Sequence, residues 1–345
     1  MRVGVLTFHR CINYGSFWQA DCLVRGLREI GHEPLIIDHR SKRVDLAEWR
    51  CALDPNPERR STPIERDALL CKTRKVLEEV STLPQTEPVD LDSPEDIEAF
   101  DAIVIGSDEV WNLRHPWYSA KPVFFGQGLK TQKLISYAAS FGNYSCWEGI
   151  GHPWTTFLRA FNHISVRDEN SWWMLKNSLG LEPQMSLDPC LAWPPVVTSQ
   201  TPQAPYAIVY GHGFSQGFAR NVQEWAKERR VRLVSIGYLN EWADTQWLDA
   251  SPTEFTKAVA GAEAVATNFF HGCVFALANQ KPFACESTPY RSIKLRGLME
   301  LLGTEARLGS DVENLLCLPT EFETEERINQ LRCASIEYLQ RALDA

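Results

Sequence analysis

Nothing in this chain of 345 residues reads as a metal cage, a membrane span or a disordered tail. Its ten cysteines, Cys11, Cys22, Cys51, Cys71, Cys146, Cys190, Cys273, Cys285, Cys317 and Cys333, include no C-x-x-C pair and no His/Cys cluster at ligand spacing, which argues against a zinc site. No apolar run approaches the roughly 20 residues that cross a bilayer. Low-complexity tracts are missing, so disorder is not indicated. Positive charge is also scarce: 35 Lys and Arg face 44 Asp and Glu, a net charge of −9, and the basic clusters are short. Nucleic-acid binding needs basic stripes that neutralise phosphates, so none is expected here. An anionic ligand would have to meet a local positive pocket.

What is present describes an ordinary globular protein, with 44% hydrophobic and 23% charged residues and 20 each of Gly and Pro. The length exceeds what one hydrophobic core usually serves and predicts two domains. Several cysteines sit inside apolar helix or strand patterns, which suits buried free thiols in a reducing compartment. The chain opens on MRVGVLTF, an opening from which no signal peptide is expected. These features together predict a cytoplasmic protein with at most peripheral membrane contact.

Val3 to Phe8 reads as a strand, Ser16 to Ile30 as a helix with Ala20, Leu23, Leu27 and Ile30 on one face, and Pro34 to Asp38 as the next strand. The loop HRCINYGS between the first two then lies at a strand's carboxyl end, where it either borders a cleft or is a plain turn. Residues 41 to 97 are polar and interrupted by six prolines, with a helix around Ile64 to Val80, and read as an insertion over the surface. Strands follow at Ala102 to Ile105, ending in GSDEVWN, at Lys133 to Ala139, ending in SFGN, and at Ile164 to Arg167, with Asp168 as the N-cap of the next helix. TSQTPQAP, Thr198 to Pro205, reads as a linker. Beyond it the alternation repeats: strand Tyr206 to Tyr210, a helix from about Asn221 to Arg229, strand Val231 to Ile236, a capping box at Ser251 and Glu254, strand Ala264 to Thr267, a helix opened by His271, and strand Pro282 to Cys285. The expected organisation is an N-terminal Rossmann-like domain over 1–197, with the polar insertion at about 41–97, and a C-terminal one over 206–345.

AVATNFFHGCVFALANQKPF, Ala264 to Phe283, is the most informative stretch. A strand running into a helix N-terminus places His271 where anionic ligands gather, although position alone fits a hydrogen-bonded structural histidine equally. INYGSFWQADCL, GSDEVWN, ISYAASFG, ISVRDENS, LDPCL, TNFFHGCVFALANQKPF and RSIKLRGLMELLG occur in this order along the chain. Together they resemble the polysaccharide pyruvyl transferase family. The stretch from Ser41 to Pro94 matches nothing in that pattern, and Phe269 and Phe270 stand where some members have an arginine just before the histidine.

The resemblance implies a GT-B-like α/β fold of two Rossmann-like domains facing across a cleft. It implies an enzyme that moves the pyruvyl group of phosphoenolpyruvate onto a sugar hydroxyl pair of a cell-envelope or exopolysaccharide precursor, forming a pyruvate ketal and phosphate. No cofactor or metal is expected, with phosphoenolpyruvate as co-substrate and a glycan or glycan precursor as acceptor. Two other classes remain as alternatives: a nucleotide-sugar GT-B glycosyltransferase, for which no acidic ribose clamp is found, and a non-catalytic carbohydrate-binding descendant.

Gripping the carboxylate and phosphate of such a donor takes fixed cations and N–H groups. Arg167 of the ISVRD motif is the first candidate, against a structural pair with Asp168 or Glu169. His271 is the candidate general acid that protonates the enol carbon, with its charge expected only once a bound phosphate offsets the helix N-terminus. Asn268 and Gly272 would shape the donor loop, and among Arg291, Lys294 and Arg296 behind it Lys294 is favoured over a solvated face. Asn13, Tyr14 and Gly15 are candidates for acceptor contacts. Asp108 is read as a base for the attacking hydroxyl or as a turn aspartate bonding its own backbone. Trp111, Trp117, Trp172 and Trp173 could stack on sugars, but most of the twelve tryptophans must be core.

Overall fold

Strands of the type RVGVL and FDAIVI, apolar on both faces, belong in parallel sheets covered by helices on each side, and the computed structural model has two such sheets. It describes residues 1–56, 59–197, 204–288, 291–309, 311–319 and 321–345. The first sheet is built from β1 (Arg2–Leu6), β2 (Glu33–Ile36), β5 (Phe100–Ile105) and β6 (Thr131–Ser136), all parallel in the order β2-β1-β5-β6. Between β2 and β5 the chain forms a short parallel pair, β3 (His39–Arg40) and β4 (Val89–Asp90). Single bridges from Ile135 to His163 and from Ala139 to Val166 lead from β6 to another pair, β7 (Ser165–Val166) and β8 (Gln184–Met185). The second sheet runs β11-β10-β9-β12-β13, again parallel, from β9 (Tyr206–Tyr210), β10 (Arg232–Ile236), β11 (Thr245–Trp247), β12 (Val265–Thr267) and β13 (Phe283–Cys285).

The connecting helices begin where local chemistry starts them. Asn13 caps α1 (Tyr14–Glu29) by accepting from Ser16 N at 2.8 Å, which opens the helix two residues ahead of the apolar pattern. The polar stretch read as a surface insertion holds an unexpected helix, α2 (Lys42–Leu53), ahead of the expected one, α3 (Pro63–Val80), which has a Thr62/Glu65 capping box. The short α4 (Trp154–Leu158) precedes α5 (Glu169–Leu179), which Asp168 caps as expected, and the short α6 (Pro189–Ala192). In the second half α7 (Gln216–Arg229), α8 (Pro252–Gly261), α9 (Phe270–Ala278), α10 (Ser292–Leu302), α11 (Val312–Leu315) and α12 (Phe322–Asp344) follow, with the expected capping box at Ser251 and Glu254. Six of the eight residues of the expected linker, 198–203, lie outside the described residues.

The central core joins the two sheets rather than sitting within one. Tyr14 and Phe17 of α1, Phe255 of α8 and Phe275 of α9 pack in a single apolar cluster with Val5 of β1 and Ile208 of β9. Full burial of each such side chain contributes about 1.5–3 kcal/mol. The last helix α12 returns to the first sheet: Tyr338 donates its hydroxyl proton to Ser136 O at 2.8 Å, and Ser335 Oγ accepts from Leu187 N at 2.9 Å. Among the described residues no helix is long and apolar enough to cross a membrane.

In each sheet the chain first extends one way from its opening strand and then jumps to the other side, so the order reverses between β1 and β5 and between β9 and β12. Loops diverge at such switch points and leave a crevice at the strands' carboxyl ends. The two crevices open onto one cleft, lined by Asn13 and Asp108 on one wall and by Tyr210 and Phe269 on the other. This is the GT-B-like arrangement, two Rossmann-like α/β units facing across a cleft.

Candidate active site

The strand-to-helix turn after β12 is held from behind. Thr267 donates its hydroxyl proton to Tyr210 O at 2.6 Å and accepts from Phe269 N at 3.0 Å. Gly272 leaves room for it, since a Cβ there would stand 2.0 Å from Thr267 Oγ1. Asn268, fully buried, donates to His212 O at 2.9 Å and ties this loop to the one after β9. The turn delivers His271 against Gly15 at the start of α1, where a Cβ would fall 2.1 Å from His271 Nδ1. Only glycine admits the imidazole so close to the backbone of the opposite unit.

Behind the imidazole lies a buried chain of charge. Asp188 caps α6 through Oδ1, which accepts from Cys190 N at 3.0 Å. Its Oδ2 accepts from Arg167 Nη1 at 2.9 Å and stands 3.6 Å from His271 Nε2. The other arm of the Arg167 fork donates to Asp108 Oδ1 at 3.0 Å, and Cζ lies 4.5 Å from the centre of the Phe270 ring. Asp108 sits at a backbone φ of 76° and also accepts from Ser16 Oγ at 3.2 Å and from its neighbour Glu109 N at 2.9 Å. Burial alone would raise both carboxyls, but charge wins: His271 and then Arg167 hold Asp188 well below the usual carboxylate range, and Arg167, His271 and Lys294 lower Asp108. The two carboxylates in turn raise Arg167 against its desolvation.

At the mouth, Lys294 Nζ donates to Glu109 Oε1 at 2.5 Å and holds that buried carboxyl low despite desolvation. Arg291 stacks on Phe269, its Cζ 4.5 Å from the ring centre, with Nη2 3.4 Å from His212 Nε2. The resulting cleft of ≈ 680 Å³ is open to solvent and lined by Asp108, Arg167, His271, Arg291 and Lys294 with Asn13, Ser16 and Tyr238. In a protein of net charge −9 this concentrates cations at one place.

A second chamber adjoins it, lined by Glu48, Lys72, His115, Trp117 and His212. Lys72 Nζ donates to Gly237 O at 2.8 Å and lies 4.2 Å from the Tyr238 ring centre. Burial pushes its ammonium down to about 7. The folded protein therefore binds fewer protons there than the unfolded chain between about pH 7 and 10, and stability rises with pH in that window. Relative to Lys72→Met, the unfolding free energy of the wild type is expected to climb by up to about 1.4 kcal/mol per pH unit across it. Urea melts at stepped pH read this difference, and parallel profiles for the two proteins would reject it.

Of the residues singled out in the sequence, Asn13, Asp108, Arg167, His271, Arg291 and Lys294 line the one cleft. Tyr14, Gly15, Asn268, Gly272 and Arg296 do not line it. Tyr14 is fully buried, donates its hydroxyl proton to Ala250 O at 2.8 Å and stacks on Phe255, so it braces the core between the units rather than touching an acceptor. Gly15, Asn268 and Gly272 act by close packing behind or beside His271. Arg167 pairs with Asp108 and Asp188, not with Asp168 or Glu169. Asp108 does bond its neighbour's backbone, but its chief partner is that guanidinium. Arg296 is exposed outside the cleft. Trp111 is core, Trp172 and Trp173 line a separate groove, and Trp117 alone of the four reaches the cleft region.

Asp188, Glu109, Ser16, Glu48 and Lys72 are the site residues that sequence reasoning missed. The Asp-Pro of LDPCL, a capping signal in a family landmark, could have pointed to Asp188; nothing local marks Glu48 or Lys72. Among the described residues one potential metal-binding group converges, Asp188, Cys190 and His271, with ligand atoms within 4.8 Å of one another. It does not fit a divalent cation, because Arg167 already donates to the same Asp188 oxygen and sets a positive charge beside it.

The polysaccharide pyruvyl transferase family model matches residues 13–288. No curated protein matches the sequence. Among solved structures the chain is similar to UDP-GlcNAc 2-epimerase from Neisseria meningitidis bound to UDP-GlcNAc, at 11% identity over 99% of this chain and 100% of that one, TM-score 0.46. It is likewise similar to the UDP-GlcNAc 2-epimerase from Methanocaldococcus jannaschii, at 10% identity over 97% and 100%, TM-score 0.46. The E. coli heptosyltransferase WaaC with ADP is similar at 13% identity over 85% and 90%, TM-score 0.42.

Proposed function

Because the chain belongs to the polysaccharide pyruvyl transferase family, we propose that its cleft binds phosphoenolpyruvate and transfers the pyruvyl group to a hydroxyl pair of a cell-envelope or exopolysaccharide precursor in the cytoplasm. The observation that carries this reading is the gathering of Arg167, Arg291, Lys294 and His271 in one cleft of an acidic protein. A donor with both a carboxylate and a phosphate needs two such anion grips. All ten cysteines are free thiols, which supports a reducing compartment.

In the proposed reaction His271 protonates the methylene carbon of phosphoenolpyruvate, and positive charge develops at the adjoining carbon. The first sugar hydroxyl bonds to that carbon, the bond to the phosphate oxygen breaks, and the second hydroxyl closes the ketal. Of the two hydroxyl protons, one replaces the proton given to the new methyl group and the other leaves with phosphate. Asp188 places its negative charge behind the imidazole, a counter-charge that the sequence reading sought only in the bound phosphate. Arg167, Arg291 and Lys294 hold the anions. Asp108, kept ionised by Arg167, orients the attacking hydroxyl by accepting its hydrogen bond.

Calorimetric titration tests the donor directly and needs no acceptor. Phosphoenolpyruvate is expected to bind the wild type, and Arg291→Ala to weaken it by about ten- to a hundredfold, the worth of one charge-assisted contact. Binding of a UDP-hexose in its place would turn the reading to a nucleotide-sugar glycosyltransferase, and indifference to Arg291→Ala would remove the proposed grip.

A further inference from the structure

The second chamber, ≈ 670 Å³, shares Asn13, Ser16, Asp108, Glu109 and Tyr238 with the cation cleft, so a molecule held there reaches the same atoms from the other side. Its far wall comes from α2 and α3, which carry none of the sequence landmarks but lie inside the 13–288 span that the family model matches. Glu48 is buried and accepts from Trp117 Nε1 at 2.6 Å and from Ile12 N at 3.1 Å. The Cys11 thiol hydrogen-bonds to it as well, and these three bonds still leave the carboxylate a lone pair to accept from a ligand. Lys72 is buried on the opposite side with one backbone acceptor. Among the described residues neither forms an ion pair. Such groups are costly to bury unless something further hydrogen-bonds to them.

His115 and His212 complete the lining. Burial lowers both, His212 to about 4 with help from Arg291, so both rings are neutral near pH 7. His115 Nδ1 accepts from Tyr118 N at 3.2 Å and His212 Nε2 faces Arg291 Nη2 at 3.4 Å, which leaves the other nitrogen of each ring as an N–H donor for a ligand. Trp117 supplies a ring whose N–H is already satisfied by Glu48. Mixed donors and acceptors around an aromatic face suit a sugar ring. The arginines that could hold an acidic sugar belong to the other cleft, Glu48 and Asp108 would repel a second anion here, and burial lowers Lys72 to about 7, so its charge is only partial near neutral pH.

We propose that this chamber is the acceptor subsite and takes an uncharged sugar ring, stacked on Trp117 and hydrogen-bonded by Glu48, Lys72 and the two imidazoles, with two hydroxyls turned to the shared edge at Ser16 and Asp108. The inference rests on the pyruvyl-transfer reading for the identity of its partner, but the subsite is tested separately.

The probes are the methyl glycosides of glucose, galactose and mannose, with methyl glucuronoside as the charged comparison, observed by saturation-transfer NMR beside calorimetry with phosphoenolpyruvate. At least one neutral glycoside is expected to bind the wild type in preference to the glucuronoside. Trp117→Ala and Glu48→Gln should each weaken it by about tenfold or more, with phosphoenolpyruvate affinity held within about twofold. Trp117→Phe, which keeps a ring, should retain binding and so separates a lost contact from a lost fold. Preference for the glucuronoside, no neutral glycoside bound by a wild type that does bind phosphoenolpyruvate, or neutral binding unchanged in Trp117→Ala and Glu48→Gln would each overturn the proposal. If the glycoside results hold but phosphoenolpyruvate binds no form, the donor reading falls and the subsite stands.

Discussion

Replacing Arg167 with alanine is expected to lower the free energy of unfolding by about 3–5 kcal/mol, because it strands two carboxylates that burial would otherwise protonate. Asp108 and Asp188 each spend a hydrogen bond on the guanidinium, at 3.0 and 2.9 Å, and the fork is almost wholly buried. The sign with pH follows from their depressed folded values. Such groups contribute stability that is fully present above the ordinary carboxyl range near about pH 4 and is lost as pH falls through the lower folded values. The difference between wild type and Arg167→Ala should therefore be widest at neutral pH and close in acid. Urea denaturation at neutral and acidic pH measures it. A loss below about 1 kcal/mol, typical of an exposed ion pair, or a gap that does not change with pH, would show that the triad is not coupled as the distances imply. Arg167→Lys should recover only part of the loss, since an ammonium cannot span both carboxylates as a planar fork does.

His271→Gln is expected to cut kcat by about 10²–10⁴-fold, the usual worth of a positioned general acid. Glutamine keeps polar atoms in the site, so phosphoenolpyruvate affinity should change by less than about tenfold. That split separates a proton donor from a residue that merely binds phosphate, which would lose affinity and kcat/KM with kcat preserved. Asp188 sets a negative charge 3.6 Å from one ring nitrogen, and the backbone of Gly15 confines the imidazole from the other side. Phosphate release in the presence of an acceptor gives kcat, and calorimetry gives the binding constant. A variant that turns over within about tenfold of the wild type would mean that the proton comes from another group.

Much of this site was legible because its residues stand in short signals. Asp168 and Ser251 announce helix starts through side chains that reach only three residues forward, and the structure has both caps. His271 and Asp108 follow strands, so their place at carboxyl ends could be read from the alternation of apolar segments alone. Tyr14 misled, because a tyrosine in a loop-like INYGS motif resembles a sugar contact until the helix is seen to begin at Tyr14 itself and turn the ring into the core. The polar stretch from 41 to 97 misled in the opposite sense. Its charged residues suggested solvent, yet Glu48 and Lys72 are buried where α2 and α3 meet the cleft.

The sequence by itself determined the parallel α/β alternation, the family and the loops that line the cleft, because strand and helix periods and caps depend on neighbours two to four residues away. Only the tertiary structure decided the partners. Arg167 could have met Asp168 or Glu169 next to it in the chain, but β7 leaves its side chain between the turn after β5 and the N-cap of α6, and it joins Asp108 and Asp188. Gly15 touches His271 and Lys72 reaches Gly237 because the core joins the two sheets across the shared apolar cluster. Contacts of that range are set by how whole layers pack, and no local pattern of residues encodes them.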